Sequence, residues 1–343
     1  MKKILVTGGC GYLGAHTLVD LIENGFDVIS ADNNSRSNES ILDAVEKITG
    51  KKIKNYKINL CIYDDTVAIF QENPDLVGII HFAAYKSVSE SVKKPLLYFE
   101  NNLNSLINIL KCADEFSVSN FIFSSSCTVY GNPDSIPVTE ETSMKLAQSA
   151  YGATKQMGEQ IVSDAVNSNN NLAILLRYFN PVGAHPSGLM GELPLGKPEN
   201  LVPAITQTAV GKLPVMKLWG NDYDTRDGSC VRDYIHVCDI AHAHTLALNY
   251  LLQNKNETNC DVFNLGTGDG LTVLEIINEF EKTSGVKLNY EIGPRRPGDV
   301  IAIYANNDKA KKMLGWNPVF NLQDMMSTAW KWELKIKADE KNI

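Results

Sequence analysis

The first half of the chain alternates short apolar runs with longer amphipathic segments. The apolar runs are rich in Val, Ile and Phe and predict buried strands at residues 3–7, 26–31, 54–59, 76–82, 120–125 and 172–179. Between them, helical spacing of apolar positions predicts helices over residues 12–24, 37–48, 64–72, 95–116 and 150–168. Such alternation is typical of an α/β fold, in which right-handed crossovers build a doubly wound parallel sheet covered by helices on both faces.

This pattern changes after about residue 180. Residues 180–203 are rich in Pro and Gly and show no regular period, and a loop of that length is more often functional than idle. Helical and short-strand patterns then return to about residue 335. We therefore expect a Rossmann domain over residues 1–180 and a smaller C-terminal α/β substrate domain over residues 181–343, with some later segments returning to the first domain. The second domain should cover the carboxyl ends of the strands, where such sheets bind ligands.

Composition narrows the class of protein. The 343 residues are 44% hydrophobic and 21% charged, as in a soluble globular protein. A net charge of -8 disfavours nucleic acid as a partner, and no apolar run is long enough for a membrane span or for a signal peptide. The seven cysteines are scattered without a C-x-x-C pair, and His242 and His244 lie in an apolar helical run. We expect reduced thiols, no metal site and a cytoplasmic location.

A glycine-rich turn follows the first predicted strand and opens a helix. In "VTGGCGYLG", Gly8, Gly11 and Gly14 form G-x-x-G-x-x-G, which lets backbone amides approach a pyrophosphate at a helix N-terminus. Asp32 ends the second strand, where a carboxylate accepts hydrogen bonds from both adenosine ribose hydroxyls and repels a 2′-phosphate. These features favour NAD over NADP, although Arg36 lies near enough to accept that phosphate. The alternative is a structural turn with Asp32 as a helix cap.

A tyrosine and a lysine share one face of the helix predicted at 150–168. Tyr151 and Lys155 are four residues apart, and Ser124, Ser125 and Ser126 end the fifth strand at the ligand edge of the sheet. Lowering a tyrosine pKa from ~10 to near 7 takes about 4 kcal/mol, which one cation at ~4 Å supplies at an effective dielectric constant of about 20. Tyr151 is therefore a candidate base, helped by Lys155 and a nicotinamide charge. An accidental surface pair is the alternative.

Together these residues resemble the extended short-chain dehydrogenase/reductase superfamily and, within it, the UDP-glucose (UDP-galactose) 4-epimerase family. The stretches that narrow the resemblance are "NPVGAHPSG", "GNDYDTRDGSCVRDYIHV", "FNLGTG" and "PRRPGD", and the similarity runs from about residue 2 to 335. The first-half motifs identify only the superfamily, whereas the second-half motifs are more specific.

The resemblance implies a tightly bound NAD and a UDP-sugar substrate. Its implied catalytic residues are Tyr151, Lys155 and Ser126. The residues implied to bind the cofactor are Gly8, Gly11, Tyr12, Leu13, Gly14, Asp32, Asn33, Asn59, Leu60, Phe82, Ala83, Ala84, Lys86, Asn101, Tyr151, Lys155 and Phe179. Those implied to bind the substrate are Lys86, Ser126, Tyr151, Asn180, Asn200, Leu201, Lys217, Leu218, Trp219, Arg232, Arg296, Asp299 and Ile303. Ordinary loop polarity for Lys86 and Asn101, and surface salt bridges for the arginines, are the alternatives.

The chain departs from the family pattern at four places. Asn59 replaces an aspartate near the adenine, Ala84 a glycine beside the cofactor, and Ala153 a larger residue between Tyr151 and Lys155. Ile303 replaces an aromatic residue or a cysteine at a sugar-facing position. The first three departures leave the chemistry intact, whereas the last leaves the acceptance of N-acetylated sugars open. Family members are usually homodimers that pair helices 95–116 and 150–168 in a four-helix bundle, and we expect the same here.

The expected reaction is transient oxidation at C4 of a UDP-hexose, with NAD regenerated in each cycle, in galactose metabolism. An epimerase of wider range that also takes UDP-N-acetylhexosamines remains open. A sugar-nucleotide 4,6-dehydratase would need an acid pair where Cys127 and Thr128 stand. A net dehydrogenase would need an exchangeable cofactor, and a non-catalytic NAD-sensing module would not need Tyr151, Lys155 and Ser126 together.

Overall fold

The computed structural model describes residues 1–295 and 300–340. Its strands are β1 Lys3–Thr7, β2 Asp27–Ala31, β3 Asn55–Tyr56, β4 Leu76–His81, β5 Asn120–Ser126, β6 Leu172–Tyr178, β7 Asn180–Val182, β8 Met216–Trp219, β9 Val231–His236, β10 Cys260–Leu265, β11 Gly270–Thr272, β12 Tyr290–Gly293 and β13 Ala302–Ile303. The helices are α1 Tyr12–Glu23, α2 Ile41–Thr49, α3 Tyr63–Glu72, α4 Val88–Lys93, α5 Pro95–Glu115, α6 Ala150–Asn169, α7 Leu201–Ala209, α8 Val237–Leu252, α9 Val273–Ser284 and α10 Leu322–Glu340.

A seven-stranded, all-parallel sheet runs in the order β10-β6-β5-β4-β1-β2-β3. Side chains alternate between its faces: Ile4 and Val6 pack in the layer of α1, α2 and α8, while Leu5 packs in the layer of α3, α5 and α6. Both faces are thus buried, which is why the strands are continuous apolar runs. The predicted doubly wound α/β fold is confirmed.

The register of this sheet brings the candidate site together. Thr7 at the end of β1 pairs with Ala31 of β2 and with His81 of β4. Ser126 at the end of β5 pairs with Tyr178 of β6. Because parallel strands end at one edge, the residues that follow them form a single row.

The smaller C-terminal layer covers this edge. Strands β7, β9, β11 and β13 form one sheet, and β8 pairs with β12 in another. Helices α7, α9 and α10 pack around a core that includes Ile205, Phe280 and Met326. Two later elements lie in the Rossmann layer instead, because β10 extends the main sheet beside β6 and α8 packs against α1.

Local differences from the predicted elements have local causes. The strand predicted at 54–59 is reduced to two half-buried residues at the sheet edge, flanked by the exposed Lys54 and Lys57. Helix α2 begins at Ile41 rather than near 37, since Asn33 and Asn38 accept hydrogen bonds from the backbone amides of Ser35 and Ser40 in preceding turns. A short helix, α4, was not predicted; Ser87 caps it.

Candidate functional site

The glycine-rich turn between β1 and α1 has no room for side chains. Gly8 has a φ of +69°, and a Cβ on it would lie 2.9 Å from the amide nitrogen of Ala83. A Cβ on Gly14 would lie 2.2 Å from the carbonyl oxygen of Gly8. Helix α1 then begins with no side-chain cap on Gly11 and no acidic residue in its first turn. The turn is therefore a backbone-lined, partly positive surface that fits a pyrophosphate.

Asp32 lies beside this turn at the end of β2. One of its carboxylate oxygens accepts a hydrogen bond from the amide of Cys10 at 3.1 Å, and the other from the amide of Asn34 at 2.9 Å. Asp32 caps no helix; it links the glycine turn to the loop after β2. The nearby Arg36 donates to Glu90 at 2.9 Å and stacks over the ring of Tyr85. Because the Arg36 guanidinium already pairs with Glu90, it is a weaker candidate for binding the 2′-phosphate of NADP.

The remaining cofactor-side residues line the same edge. The amide of Phe82 donates to the carbonyl of Thr7 at 3.0 Å, which fixes the loop after β4 against β1. Asn59 is exposed, Leu60 is buried, and Ala83, Ala84, Leu13 and Asn101 are partly buried. Asn33 and Lys86 are exposed. The assignment of these residues to the cofactor stays a prediction.

Helix α6 and strand β5 bring Tyr151, Lys155 and Ser126 together. Ser149 caps α6 by accepting a hydrogen bond from the amide of Gly152 at 3.1 Å. The side chain of Ser126 lies near the Tyr151 hydroxyl and acts to lower its pKa. The ammonium of Lys155 donates to the carbonyl of Ser124 at 2.6 Å and lies 5.8 Å from the centroid of the Tyr151 ring.

Burial dominates the electrostatics of this pair. It raises the pKa of Tyr151 to about 12, against an opposing hydrogen bond from Ser126. It lowers the pKa of Lys155 to about 8, against the opposing charge of Glu159. Our expectation that Lys155 moves the tyrosine pKa toward neutrality is therefore not met by the chain alone, because desolvation is the largest effect on the pKa of Tyr151. A further positive charge beside Tyr151 would act in the required direction.

Most of the predicted substrate-side residues lie on the C-terminal layer. Asn180 begins β7, and Leu201 begins α7 directly after Asn200. Lys217 and Trp219 are the exposed positions of β8, and Leu218 between them is buried. Two further predicted residues, Arg296 and Asp299, lie outside the described residues.

Arg232 and Ile303 are brought to the end of β5. They pair in register between β9 and β13. Ile303 is buried in a small apolar cluster that includes Phe179 and Val129. The charge of Arg232 also acts on the thiol of Cys127, which directly follows Ser126. Arg232 and Ile303 therefore lie close to the Tyr151–Ser126 pair.

Two carboxylates that the sequence did not single out lie next to predicted site residues. Glu192 accepts hydrogen bonds from Lys86 and from Asn200, each at 2.7 Å, and so links the Rossmann layer to the C-terminal layer. Glu159 lies one turn after Lys155 and pairs with Arg177. The sequence carried no signal for Glu192, since its partners are distant along the chain.

Within residues 1–295 and 300–340, no group of three or more His, Cys, Asp or Glu side chains could hold a metal ion. Over the same residues, no helix is both long and apolar enough to span a membrane.

Comparison with known proteins identifies the family. A family model described as GDP-mannose 4,6 dehydratase matches residues 5–329. A UDP-glucose 4-epimerase of Bacillus subtilis is 45% identical over 331 residues, which is 96% of this chain and 96% of that protein. The chain belongs to the UDP-glucose 4-epimerase family. The resemblance drawn from the motifs is thereby confirmed.

Solved members of this epimerase family share the whole fold. The structure of a UDP-glucose 4-epimerase from Stenotrophomonas maltophila, with bound NAD and formylated UDP-arabinopyranose, has a TM-score of 0.95 at 42% identity and covers 99% of this chain and 100% of that one. A UDP-glucose 4-epimerase from Bifidobacterium longum in complex with NAD+ and UDP has a TM-score of 0.93 at 44% identity, covering 97% and 98%. NAD is the cofactor of the family, and the glycine turn and Asp32 fit it.

Proposed function

We propose that this protein is an NAD-dependent UDP-glucose 4-epimerase, which interconverts UDP-galactose and UDP-glucose. The observation that carries the proposal is the convergence of Tyr151, Ser126 and Lys155 at the sheet edge beside the glycine turn, in a member of this family. A protein that only binds a dinucleotide would not need these three side chains to lie together.

Each residue of the triad has a task in the reaction. Tyr151 accepts the proton of the sugar 4-hydroxyl and returns it after the ring has turned. Ser126, whose side chain lies near the Tyr151 hydroxyl, orients the reacting oxygen. Lys155 supplies a positive charge that favours the phenolate of Tyr151. Bound NAD supplies the hydride acceptor and donor together with a second positive charge.

The C-terminal layer holds the nucleotide while the hexose turns. Arginine suits the diphosphate because its guanidinium donates in a fixed fork, and we assign this role to Arg232 and Arg296. We assign the rest of the UDP contacts to the remaining predicted substrate-side residues, which are Asn180, Asn200, Leu201, Lys217, Leu218, Trp219 and Asp299. Binding energy from this remote part of the substrate keeps the sugar in place during rotation.

The deciding experiment is conversion of UDP-galactose by the purified protein with no NAD added. We expect UDP-glucose at equilibrium with its substrate, with no net change in the cofactor. A 4,6-dehydratase would instead release a 4-keto-6-deoxy sugar nucleotide, and a net dehydrogenase would turn over only with added NAD. No conversion by a folded protein that retains NAD would refute the proposal and favour a sensing module.

The substrate range is a second question, and Ile303 is the residue that bears on it. It is buried beside Phe179 and is intermediate in bulk between tyrosine and cysteine. We propose partial tolerance of 2-acetamido sugars, with UDP-glucose and UDP-galactose favoured.

We also propose that the protein is a cytoplasmic homodimer that acts in galactose metabolism. Helices α5 and α6 pack against each other, and each keeps an exposed apolar side chain, Leu96 and Met157. Light scattering should give the mass of two chains, and Met157→Glu should shift the protein toward the monomer. A monomeric wild-type protein would contradict this assembly.

A further inference from the structure

A buried ion pair between Glu159 and Arg177 lies next to the helix turn that carries Tyr151 and Lys155. The carboxylate of Glu159, one turn after Lys155 on α6, accepts two hydrogen bonds from the guanidinium of Arg177 on β6, at 2.8 and 2.6 Å. Ser125 of β5 donates to the same carboxylate. Glu159 and Arg177 are each only 4% exposed, and Ser125 is fully buried. The three elements α6, β5 and β6 therefore meet at one carboxylate, and two of them, α6 and β5, carry Tyr151, Lys155 and Ser126.

Arg177 is also held from the opposite side. It donates to the hydroxyl of Tyr130 at 3.0 Å, and Tyr130 in turn donates to the side chain of Asn264 at 2.6 Å. Burying two charges is costly, and the bidentate geometry with further hydrogen bonds offsets that cost. These hydrogen bonds hold the Glu159 carboxylate at a fixed position relative to Lys155.

We propose that Glu159 is a positioning residue for the epimerase reaction: its carboxylate, held by Arg177 and Ser125, keeps Lys155 charged and keeps α6 seated on β5. The inference rests on the proposed function. Glu159 is the group that opposes the effect of burial on the pKa of Lys155. Without it, the ammonium would lose its proton at a lower pH, and Tyr151 would lose the charge that favours its phenolate.

The other titratable groups around Tyr151 and Lys155 do not change charge near neutral pH. His81 of β4 has its pKa lowered to about 3 by burial and by Lys155, so it is neutral. Tyr178 of β6 has its pKa raised further above its ordinary value by burial. Tyr151 itself and Cys127 after β5 have pKa values raised to about 12. A loss of activity between neutral pH and about pH 9 is therefore assigned to Lys155.

The test is the pH dependence of kcat/KM for UDP-galactose in the holoenzyme. Glu159→Gln should move the alkaline limb of the profile to lower pH by about one unit, because a charge is lost beside Lys155. Glu159→Asp is the matched control, since it keeps the charge; its kcat can fall but its alkaline limb should stay in place. If Glu159→Gln does not fold, the double variant Glu159→Gln/Arg177→Met removes both buried charges and should still move the limb downward.

A structural role alone would lower stability without moving the limb. An unshifted limb in a folded Glu159→Gln protein, or in the double variant, therefore overturns the inference. A readout without turnover separates this result from failure of the proposed function. The pKa of the Lys155 ammonium, followed by nuclear magnetic resonance of isotope-labelled lysine and assigned by the signal missing in Lys155→Met, should be lower in Glu159→Gln than in wild type. An equal pKa in both overturns the inference even if UDP-galactose is not a substrate.

Discussion

Replacing Tyr151 by phenylalanine removes one hydroxyl from the site and keeps the ring that fills its place. The residue is 9% exposed, and its hydroxyl lies near the side chain of Ser126. Losing one buried hydrogen bond costs about 1 kcal/mol of stability, against a total of about 5–15 kcal/mol for a typical domain. The variant should therefore fold, and it should retain NAD because the glycine turn and Asp32 are untouched.

The effect on turnover should be much larger. A positioned general base contributes about 10²- to 10⁴-fold in rate, which corresponds to about 2.7–5.5 kcal/mol of activation free energy. Because burial raises the pKa of Tyr151 to about 12, the tyrosine works as a base only with the help of positive charges around it. Phenylalanine has no hydroxyl that these charges could ionise. We expect kcat to fall at least a hundredfold, to below about 1% of the wild-type value.

The assay follows UDP-glucose formed from UDP-galactose by chromatography, with extracted NAD and thermal unfolding measured on the same samples. Tyr98→Phe is the matched control, since it removes another phenol hydroxyl from a buried side chain. Tyr98 lies on α5, and its hydroxyl donates to Glu90 of α4 at 3.0 Å. We expect this control to keep kcat within about threefold of wild type. If Tyr151→Phe retained more than about a tenth of the rate, a loss under ~1.4 kcal/mol, another group would be the base.

Three further perturbations test other parts of the structure. Asp32→Asn should weaken NAD retention at least about tenfold through loss of charge-assisted hydrogen bonds, measured as NAD kept after gel filtration; full retention would contradict the ribose assignment. Ile303→Cys should narrow, and Ile303→Tyr widen, the gap in kcat/KM between UDP-hexoses and their N-acetyl forms, about 5- to 150-fold in wild type; a constant ratio would mean that Ile303 does not face the sugar. Asp20 raises the pKa of His242 above 6.5, so this pair stabilises the fold most below that pH and its contribution disappears as the pH rises through the folded pKa. The Tm difference between wild type and Asp20→Asn should be small and should shrink from about pH 5.5 to about pH 8.5, and a difference that grew would contradict the pairing.

Local patterns were sufficient for the Rossmann strands and for the contact of Lys155 with the end of β5. Buried parallel strands are apolar throughout, so β1, β4, β5 and β6 were found to within two residues at each end. The serines at the end of β5 and the Tyr151–Lys155 spacing then placed the site, because the carboxyl ends of parallel strands must converge. Both signals, the apolar runs and the i, i+4 spacing, lie within short stretches of the chain and can be read from the sequence alone.

Contacts between distant segments were beyond the reach of local patterns. The pairing of Glu159 with Arg177 depends on how α6 lies on β6, and the contact of Lys86 with Glu192 depends on the path of an irregular loop. The tyrosine pKa was misjudged for a related reason. The lysine charge can be read from the i, i+4 spacing, whereas burial of Tyr151 is set by the whole fold.

The position of β10 has a consequence for how the chain can be divided. This strand, residues 260–265, supplies the outer neighbour of β6 in the main sheet. A fragment that stopped at residue 180 would leave the backbone edge of β6 open to pairing with another molecule, and such edges promote aggregation. During synthesis, too, the sheet stays incomplete until residue 265 has left the ribosome. Residues 1–180 are therefore not a self-contained domain that could be excised or fused to a different substrate domain.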